Sequence, residues 1–163
     1  MFSESIELKT PAQLASMREA GLVVARTLEA LRPKVSAGVT TAELDEFCRE
    51  RLAAEGATSN FLNYHGFPAT ICISVNDEIV HGIPGSREIA TGDLVSLDFG
   101  AIVDGWHGDS AITVEVGQAS AEVAELNRVT EEALCRGIAA AKIGGKVGDI
   151  SHAIGSYVKS QAK

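Results

Sequence analysis

The stretch SLDFGAIVDGWHGDS, residues 96–110, predicts the central β-hairpin of this protein. An apolar run at residues 94–99 is typical of a buried strand, and a second strand-like run follows the stretch. Asp104-Gly105 is a strong signal for the two-residue turn between them. Asp98 interrupts the first run and Asp109 precedes the second, although a carboxylate among apolar strands is unfavourable unless something positive meets it. The hairpin therefore needs a positive partner for its acidic residues.

A two-residue turn at this position sets the register of the hairpin. It pairs Gly100 with Asp109 and Asp98 with Ala111, which puts the two carboxylates on one face as diagonal neighbours roughly 6–8 Å apart. Two carboxylates so placed repel each other unless a cation lies between them, and their lone pairs suit one or two divalent metal ions. Simpler roles stay open: Asp109 capping a turn at the strand edge, and Asp98 accepting backbone N–H groups or pairing with an arginine.

Composition and charge limit the classes of function. The chain has 163 residues, 45% of them apolar, and a net charge of −8, which indicates one globular domain. No stretch is rich in lysine or arginine, so the sequence does not predict binding to nucleic acid or to an anionic membrane. No apolar stretch approaches the length of a membrane span. The N-terminal residues do not resemble a secretory signal peptide, and the three cysteines, Cys48, Cys72 and Cys135, form no CxxC motif. We therefore expect a cytoplasmic protein with reduced thiols.

The N-terminal part predicts two capped helices. The first begins with Thr10 as N-cap and Pro11 as first residue, and it ends at Pro33. The second opens with the capping-box pair Thr40 and Glu43, and it stops near Gly56. The apolar stripe of the first helix consists of Leu14, Met17, Val24, Leu28 and Leu31.

The remaining segments alternate strand and helix signals. Residues 69–75 (ATICISV) predict a strand, and residues 76–85 (NDEIVHGIPG) predict a turn followed by a short strand that carries His81. A third helix is predicted from about Ser120 to a break at Gly144-Gly145, and a last helix at residues 148–162.

Two segments of the chain resemble each other. Residues 35–52 and 141–158 align at an offset of 106 residues, with Gly38 opposite Gly144 and Glu43 opposite Asp149. Each unit predicts a helix, a turn containing glycine and a second helix. Chance similarity between two amphipathic helices is the alternative.

Three stretches together resemble one family: KTPAQLASMREAG, NYHGFPATICISVNDEIVHGIPG and DLVSLDFGAIVDGWHGDS. They are similar to the type I methionine aminopeptidases, over essentially the whole chain. The resemblance implies an α/β (α+β) pita-bread fold, in which a curved, antiparallel-rich sheet has helices on its outer face. Residues 1–163 are then the N-terminal part of a single catalytic domain, with only the first half and the start of the second half present.

The resemblance also implies a site. Asp98 and Asp109 match the two aspartates of a dinuclear centre, Asp98 binding one metal ion and Asp109 bridging both, with Co, Mn, Fe or Zn all compatible. His81 matches the histidine that contacts the substrate amide. Tyr64, Phe67 and Cys72 match the pocket for the methionine side chain.

Other candidate residues receive weaker assignments. Phe61 lies near the predicted methionine pocket, and His65 is expected at its rim. His107 shares the hairpin face with Asp109 but matches no family ligand, so it is interpreted as structural.

The implied activity is the removal of the initiator methionine from nascent proteins, by an enzyme that is monomeric at full length and contacts the N-terminal methionine and the ribosome. Alternatives are a proline-specific aminopeptidase of the same fold and a non-catalytic relative that binds peptides or ribosomes. The family's remaining ligands, a histidine and two glutamates, come from the second half, and no matching motif occurs in these residues. We therefore expect the chain alone to be inactive and to bind metal weakly.

Overall fold

The computed structural model describes residues 6–161, and contacts between Cα atoms divide the chain into two compact units, Met1–Gln118 and Ala119–Lys163. Among the described residues, the first unit contains two α-helices, two short 3-10 helices (Arg32–Lys34 and Tyr64–Gly66) and four strands, and the second contains two α-helices. The elements are α1 (Pro11–Leu31), α2 (Thr41–Ala54), β1 (Thr58–Ser59), β2 (Ile71–Val75), β3 (Leu94–Val103), β4 (Trp106–Glu115), α3 (Ala121–Ala140) and α4 (Val147–Gln161).

Both predicted capping boxes are present. The Gln13 amide donates to Thr10 Oγ1 over 3.3 Å, and the Thr10 amide donates to the Gln13 side chain over 2.8 Å. Thr40 and Glu43 form the same reciprocal pair at the start of α2. Because each box satisfies N–H groups that the first turn leaves free, the sequence determines where these helices begin.

The apolar stripe of α1 is only partly buried. Leu28 and Leu31 are buried as predicted, whereas Leu14 and Met17 are 54% and 36% exposed, so that part of the prediction is wrong. The buried residues of α1 begin at Ala20, where the backbone of the helix meets β4. The turns of α1 before this point contain no buried residue.

β3 is the central strand of an antiparallel sheet. β4 pairs with it along its whole length, while β2 and β1 share its other edge, with Cys72 opposite Asp98 and Thr58 opposite Ile102. Val95, Leu97 and Phe99 of β3 are fully buried in the core with α1 and α2. Because side chains alternate along a strand, Asp98 lies on the opposite face.

The predicted short strand in residues 76–85 is absent. His81 has a φ of 60°, which a strand cannot accommodate, and the Ile73 amide donates to the Gly82 carbonyl over 2.9 Å. A Cβ on Gly82 would lie 2.1 Å from the Ile73 carbonyl oxygen. The segment is therefore an irregular loop whose backbone lies close against β2, and glycine permits that approach.

The second unit is a hairpin of α3 and α4. The helix α3 begins directly after Ser120, close to the predicted start, with Ser120 as its N-cap, but it ends at Ala140, before the predicted break. Gly137 lies against Ile154 of α4, since a Cβ there would be 2.7 Å from the isoleucine Cδ1. Residue 162, predicted within the last helix, is outside the described residues.

The internal repeat is reproduced in local backbone structure. Gly38 and Gly144 have φ values of 89° and 83°. The Thr40 amide donates to Glu43 over 2.7 Å, and 106 residues later the Lys146 amide donates to Asp149 over 2.8 Å. The start of α2 and the start of α4 thus share a left-handed glycine and a backbone bond to an acidic side chain, while the reciprocal bond to a threonine hydroxyl occurs at α2.

Candidate metal centre

The hairpin brings the two aspartates together as predicted. Gly100 pairs with Asp109 and Asp98 with Ala111, which confirms the register and puts both carboxylates on the face opposite the core. Asp104 and Gly105 have φ values of 48° and 80°, the left-handed conformation of a two-residue hairpin turn. In residues 6–161 neither aspartate forms an ion pair with a lysine or an arginine.

Electrostatics at this pair favour a cation. Burial raises the pKa of Asp98, and the negative charge and hydrogen bond of neighbouring Asp109 raise it further, while His81 acts in the opposite direction. Two like charges in a half-buried position repel each other. A divalent cation bound between the carboxylates would relieve that repulsion.

A cavity of about 790 Å³ opens over the pair. All six residues that the sequence predicts for a site line this cavity. They are Tyr64, Phe67, Cys72, His81, Asp98 and Asp109. They come from β2, β3, β4, the short 3-10 helix Tyr64–Gly66 and two loops, so the fold brings together residues that are up to 45 positions apart.

His81 reaches the cavity from its loop rather than from a strand. Its left-handed backbone is uncommon for a residue with a side chain. The neighbouring Gly82 amide donates to Ser74 Oγ over 3.1 Å, and the Gly82 carbonyl accepts from Ile73. These contacts with β2 fix the position from which the imidazole enters the cavity.

Aromatic side chains form the apolar wall. The rings of Phe61 and Phe67 meet edge to face at 6.5 Å, and those of Tyr64 and His65 meet at 4.4 Å. The loop turns tightly here, with the Asn63 amide donating to the Phe67 carbonyl over 2.8 Å. Such a wall suits an apolar or thioether side chain.

Cys72 connects the apolar wall to the acidic pair. It lies opposite Asp98 on the adjacent strand. Burial, followed by the charges of Asp98 and Asp109, raises the pKa of its thiol to about 11. The protonated thiol is therefore the form present near neutral pH, so Cys72 contributes a small apolar surface.

Several lining residues were not assigned to the site from sequence. His107, interpreted as structural, lines the cavity together with Asn60 and Ile83. The hairpin register already put His107 on the face of Asp109, which was the available signal. The sequence carries no comparable signal for Asn60 and Ile83, because their positions depend on how the loops pack on the sheet.

The donors present match part of a divalent-metal site. Within residues 6–161, no group of three or more histidine, cysteine, aspartate or glutamate side chains is placed to hold a metal ion. Carboxylate oxygens suit such ions, but protein sites for transition metals usually have three or more protein ligands. The aspartate pair fits a divalent ion and leaves coordination positions for other donors.

Paired carboxylates beside a cavity large enough for a peptide end are the kind of site that a metal-dependent hydrolase uses. A profile described as metallopeptidase family M24 matches residues 15–163, and the chain belongs to this family. Across the part of the chain that the structure describes, no helix has both the length and the apolar character needed to cross a bilayer.

Two relatives that are similar in sequence are both named methionine aminopeptidase 1. Methionine aminopeptidase 1 of Bacillus subtilis is 47% identical over 153 residues, which cover 94% of this chain and 62% of that protein. Methionine aminopeptidase 1 of Mycobacterium tuberculosis is 47% identical, over 90% of this chain and 55% of that protein. The chain thus spans less than two thirds of the length of these relatives.

Solved structures confirm the predicted pita-bread fold. Methionine aminopeptidase from Thermotoga maritima superposes with a TM-score of 0.93 at 36% identity, over 96% of this chain and 63% of that one. Prolidase from Pyrococcus furiosus superposes with a TM-score of 0.82 at 20% identity, a likeness of fold alone.

Proposed function

We propose that residues 1–163 are the N-terminal part of one catalytic domain that removes the N-terminal methionine from nascent proteins. The observation that carries this proposal is the convergence of six predicted residues on one cavity, with acidic and aromatic walls. The names of the relatives support methionine as the residue released. We also propose that the full-length protein is a cytoplasmic monomer that meets its substrates near the ribosome.

Each group in the cavity has a proposed role. Asp98 and Asp109 hold one or two divalent ions, with Co, Mn, Fe and Zn as candidates. Such an ion, when bound, supplies a nucleophilic water and polarises the peptide carbonyl. His81 donates a hydrogen bond to the substrate amide. Tyr64, Phe67 and Cys72 surround the methionine side chain, because sulfur makes favourable contacts with aromatic rings.

A proline-specific aminopeptidase is the second candidate. Xaa-Pro dipeptidase from Bacillus anthracis superposes with a TM-score of 0.84 at 25% identity. The edge-to-face wall of Phe61 and Phe67 favours a flexible apolar side chain, and the higher identity to methionine aminopeptidases agrees with that. A non-catalytic relative has no need for an unpaired carboxylate pair, and this chain has both aspartates.

A chimera tests the proposal. Residues 1–163 are joined to the C-terminal part of Bacillus subtilis methionine aminopeptidase 1 and assayed with Mn(II) or Co(II) on Met-Ala-Ser and Ala-Pro-Ser peptides. We expect release of methionine only, and loss of that release in the Asp98→Asn/Asp109→Asn variant. The chain alone is expected to be inactive. Release of alanine in front of proline, or methionine release that is indifferent to the double variant, contradicts the proposal.

A further inference from the structure

The side chain of Asn60 lies on the sheet beside the acidic pair. Asn60 directly follows β1, and its side chain lines the same cavity as Asp98 and Asp109. Its Nδ2 donates to the Gly108 carbonyl oxygen over 3.1 Å, a contact between residues 48 positions apart. That oxygen belongs to the peptide group whose nitrogen is that of Asp109. Asn60 is therefore bonded to the backbone unit that carries the second aspartate.

Gly100 makes room for this contact. A Cβ at Gly100 would lie 2.6 Å from Asn60 Nδ2 and 2.9 Å from its Cγ, distances that real Cβ atoms do not adopt. Gly100 pairs directly with Asp109 and lies two residues from Asp98 on the same face. The asparagine amide thus lies over the strand at the base of the carboxylate pair, and only glycine at this position leaves space for it.

Gly108 is confined from the other side of the sheet. A Cβ there would lie 2.7 Å from the carbonyl carbon and oxygen of Ala20 and 2.8 Å from the Gly21 nitrogen, all in the backbone of α1. The peptide between Gly108 and Asp109 therefore contacts a helix backbone on one face and the Asn60 amide on the other. Its freedom to move is small in both directions.

The other atom of the amide indicates that stability alone does not explain Asn60. Its Oδ1 is buried and has no hydrogen-bond partner among the described residues. A buried acceptor without a donor is unfavourable, and this offsets part of what the Nδ2 bond contributes to folding. An apolar side chain would avoid that loss but could not hold the Gly108 carbonyl.

We infer that Asn60 is a positioning residue for the cation site: through the Gly108 carbonyl and the space above Gly100, it sets the distance between the Asp109 and Asp98 carboxylates. This inference rests on the proposed metal site. Groups that orient metal ligands without touching the ion typically change metal affinity by roughly 10- to 100-fold when they are removed.

Mn(II) titration of the full chain, followed by paramagnetic broadening of assigned backbone amide signals, measures affinity at this site. The Mn(II) affinity is obtained from the broadening of signals around Asp98 and Asp109. Asn60→Ala and Gly100→Ala are each expected to lower this affinity by roughly 10- to 100-fold. The double variant is expected to lose less affinity than the sum of the two single losses, because Asn60→Ala removes the two amide-group atoms closest to an added Cβ at position 100 and leaves only the residue 60 Cβ, at 3.0 Å. Gly148→Ala, where an added Cβ has nothing within 4 Å, is the matched control and keeps wild-type affinity.

The outcomes separate this inference from the function on which it rests. Wild-type broadening that survives Asp98→Asn/Asp109→Asn overturns the metal site and the inference with it. Broadening that depends on the aspartates but is equally strong in Asn60→Ala overturns the inference alone. Urea unfolding of each variant establishes that the affinities belong to folded protein. If Asn60→Ala is unfolded, Gly100→Ala is the second test of the inference. Additive losses in the double variant also contradict the inference.

Discussion

The three cysteines lie in surroundings that differ sharply. Cys48 on α2 is fully buried in the core, whereas Cys135 on α3 is exposed. Burial, with a smaller contribution from the charge of Asp45, raises the pKa of the Cys48 thiol to about 12 from an ordinary 9.0. Because the thiolate is the reactive form, Cys48 is inert while the chain is folded.

Thiol labelling tests this difference. With a disulfide reagent near neutral pH, we expect Cys135 to react rapidly and Cys48 to react only after unfolding in urea. Cys135→Ser should remove the fast phase, and Cys48→Ala should leave it unchanged. Rapid modification of Cys48 in the folded chain would show that the core is not packed as described.

The same thiol makes stability depend on alkaline pH. Its pKa is raised in the folded chain, so its contribution to stability is complete below pH 9.0 and is lost as pH rises towards about 12. The free energy of unfolding should therefore fall more steeply with pH in wild type than in Cys48→Ala over this window. Parallel slopes would contradict the assignment.

Asp45 joins α2 to the start of β2. Its carboxylate accepts from the Thr70 amide over 2.7 Å and from Thr70 Oγ1 over 2.6 Å, and Arg49 donates to it over 2.7 Å. Asp45→Ala leaves buried donors without an acceptor, so we expect a loss of about 2–4 kcal/mol in unfolding free energy. Glu46→Ala on the exposed side of the helix is the control, with a change below about 0.5 kcal/mol. Urea denaturation measures both, and equal losses would contradict this role.

At the scale of elements, the sequence predicts features that local chemistry decides. The capping residues locate the starts of α1 and α2 because their side chains bond the first turn directly. Asp104-Gly105 sets the hairpin register because both residues accept positive φ. That register is sufficient by itself to put Asp98 and Asp109 on one face of the sheet.

Features that depend on distant contacts escaped prediction. The loop of His81 looks like a strand in sequence, and it is irregular because Gly82 lies against β2. Asn60 carries no sequence signal, since its partners Gly100 and Gly108 are 40 and 48 positions away. The exposure of Leu14 depends on where α1 meets the sheet, which periodicity does not reveal.

The repeat leads to a prediction about paired leucines. Leu28 of α1 and Leu134 of α3 are 106 residues apart, yet Leu28 is 4% exposed and Leu134 is 56% exposed. Leu28→Ala should lower the free energy of unfolding by about 2–5 kcal/mol, because it leaves a cavity in the core. Leu134→Ala, the matched substitution, should change it by less than about 0.5 kcal/mol. Chemical denaturation decides, and a large loss at Leu134 would mean that this position is buried in solution.

At the scale of the whole molecule, one cavity collects residues that the sequence spreads over positions 60–109. Resemblance of short motifs was sufficient to predict the family, and the M24 match and the solved structures agree with it. Composition alone gave no more than an acidic globular protein. The metal site could be proposed from sequence because paired carboxylates on one face of a hairpin repel each other unless a cation lies between them, whatever the family.

A divalent ion between Asp98 and Asp109 is the central claim, and anomalous diffraction from crystals of this chain soaked in Zn(II) tests it most directly. The predicted result is an anomalous peak that contacts oxygens of both carboxylates at about 2.0–2.2 Å and disappears in Asp98→Asn/Asp109→Asn crystals. A map with no peak there, or with each carboxylate paired to its own lysine or arginine, would contradict the claim.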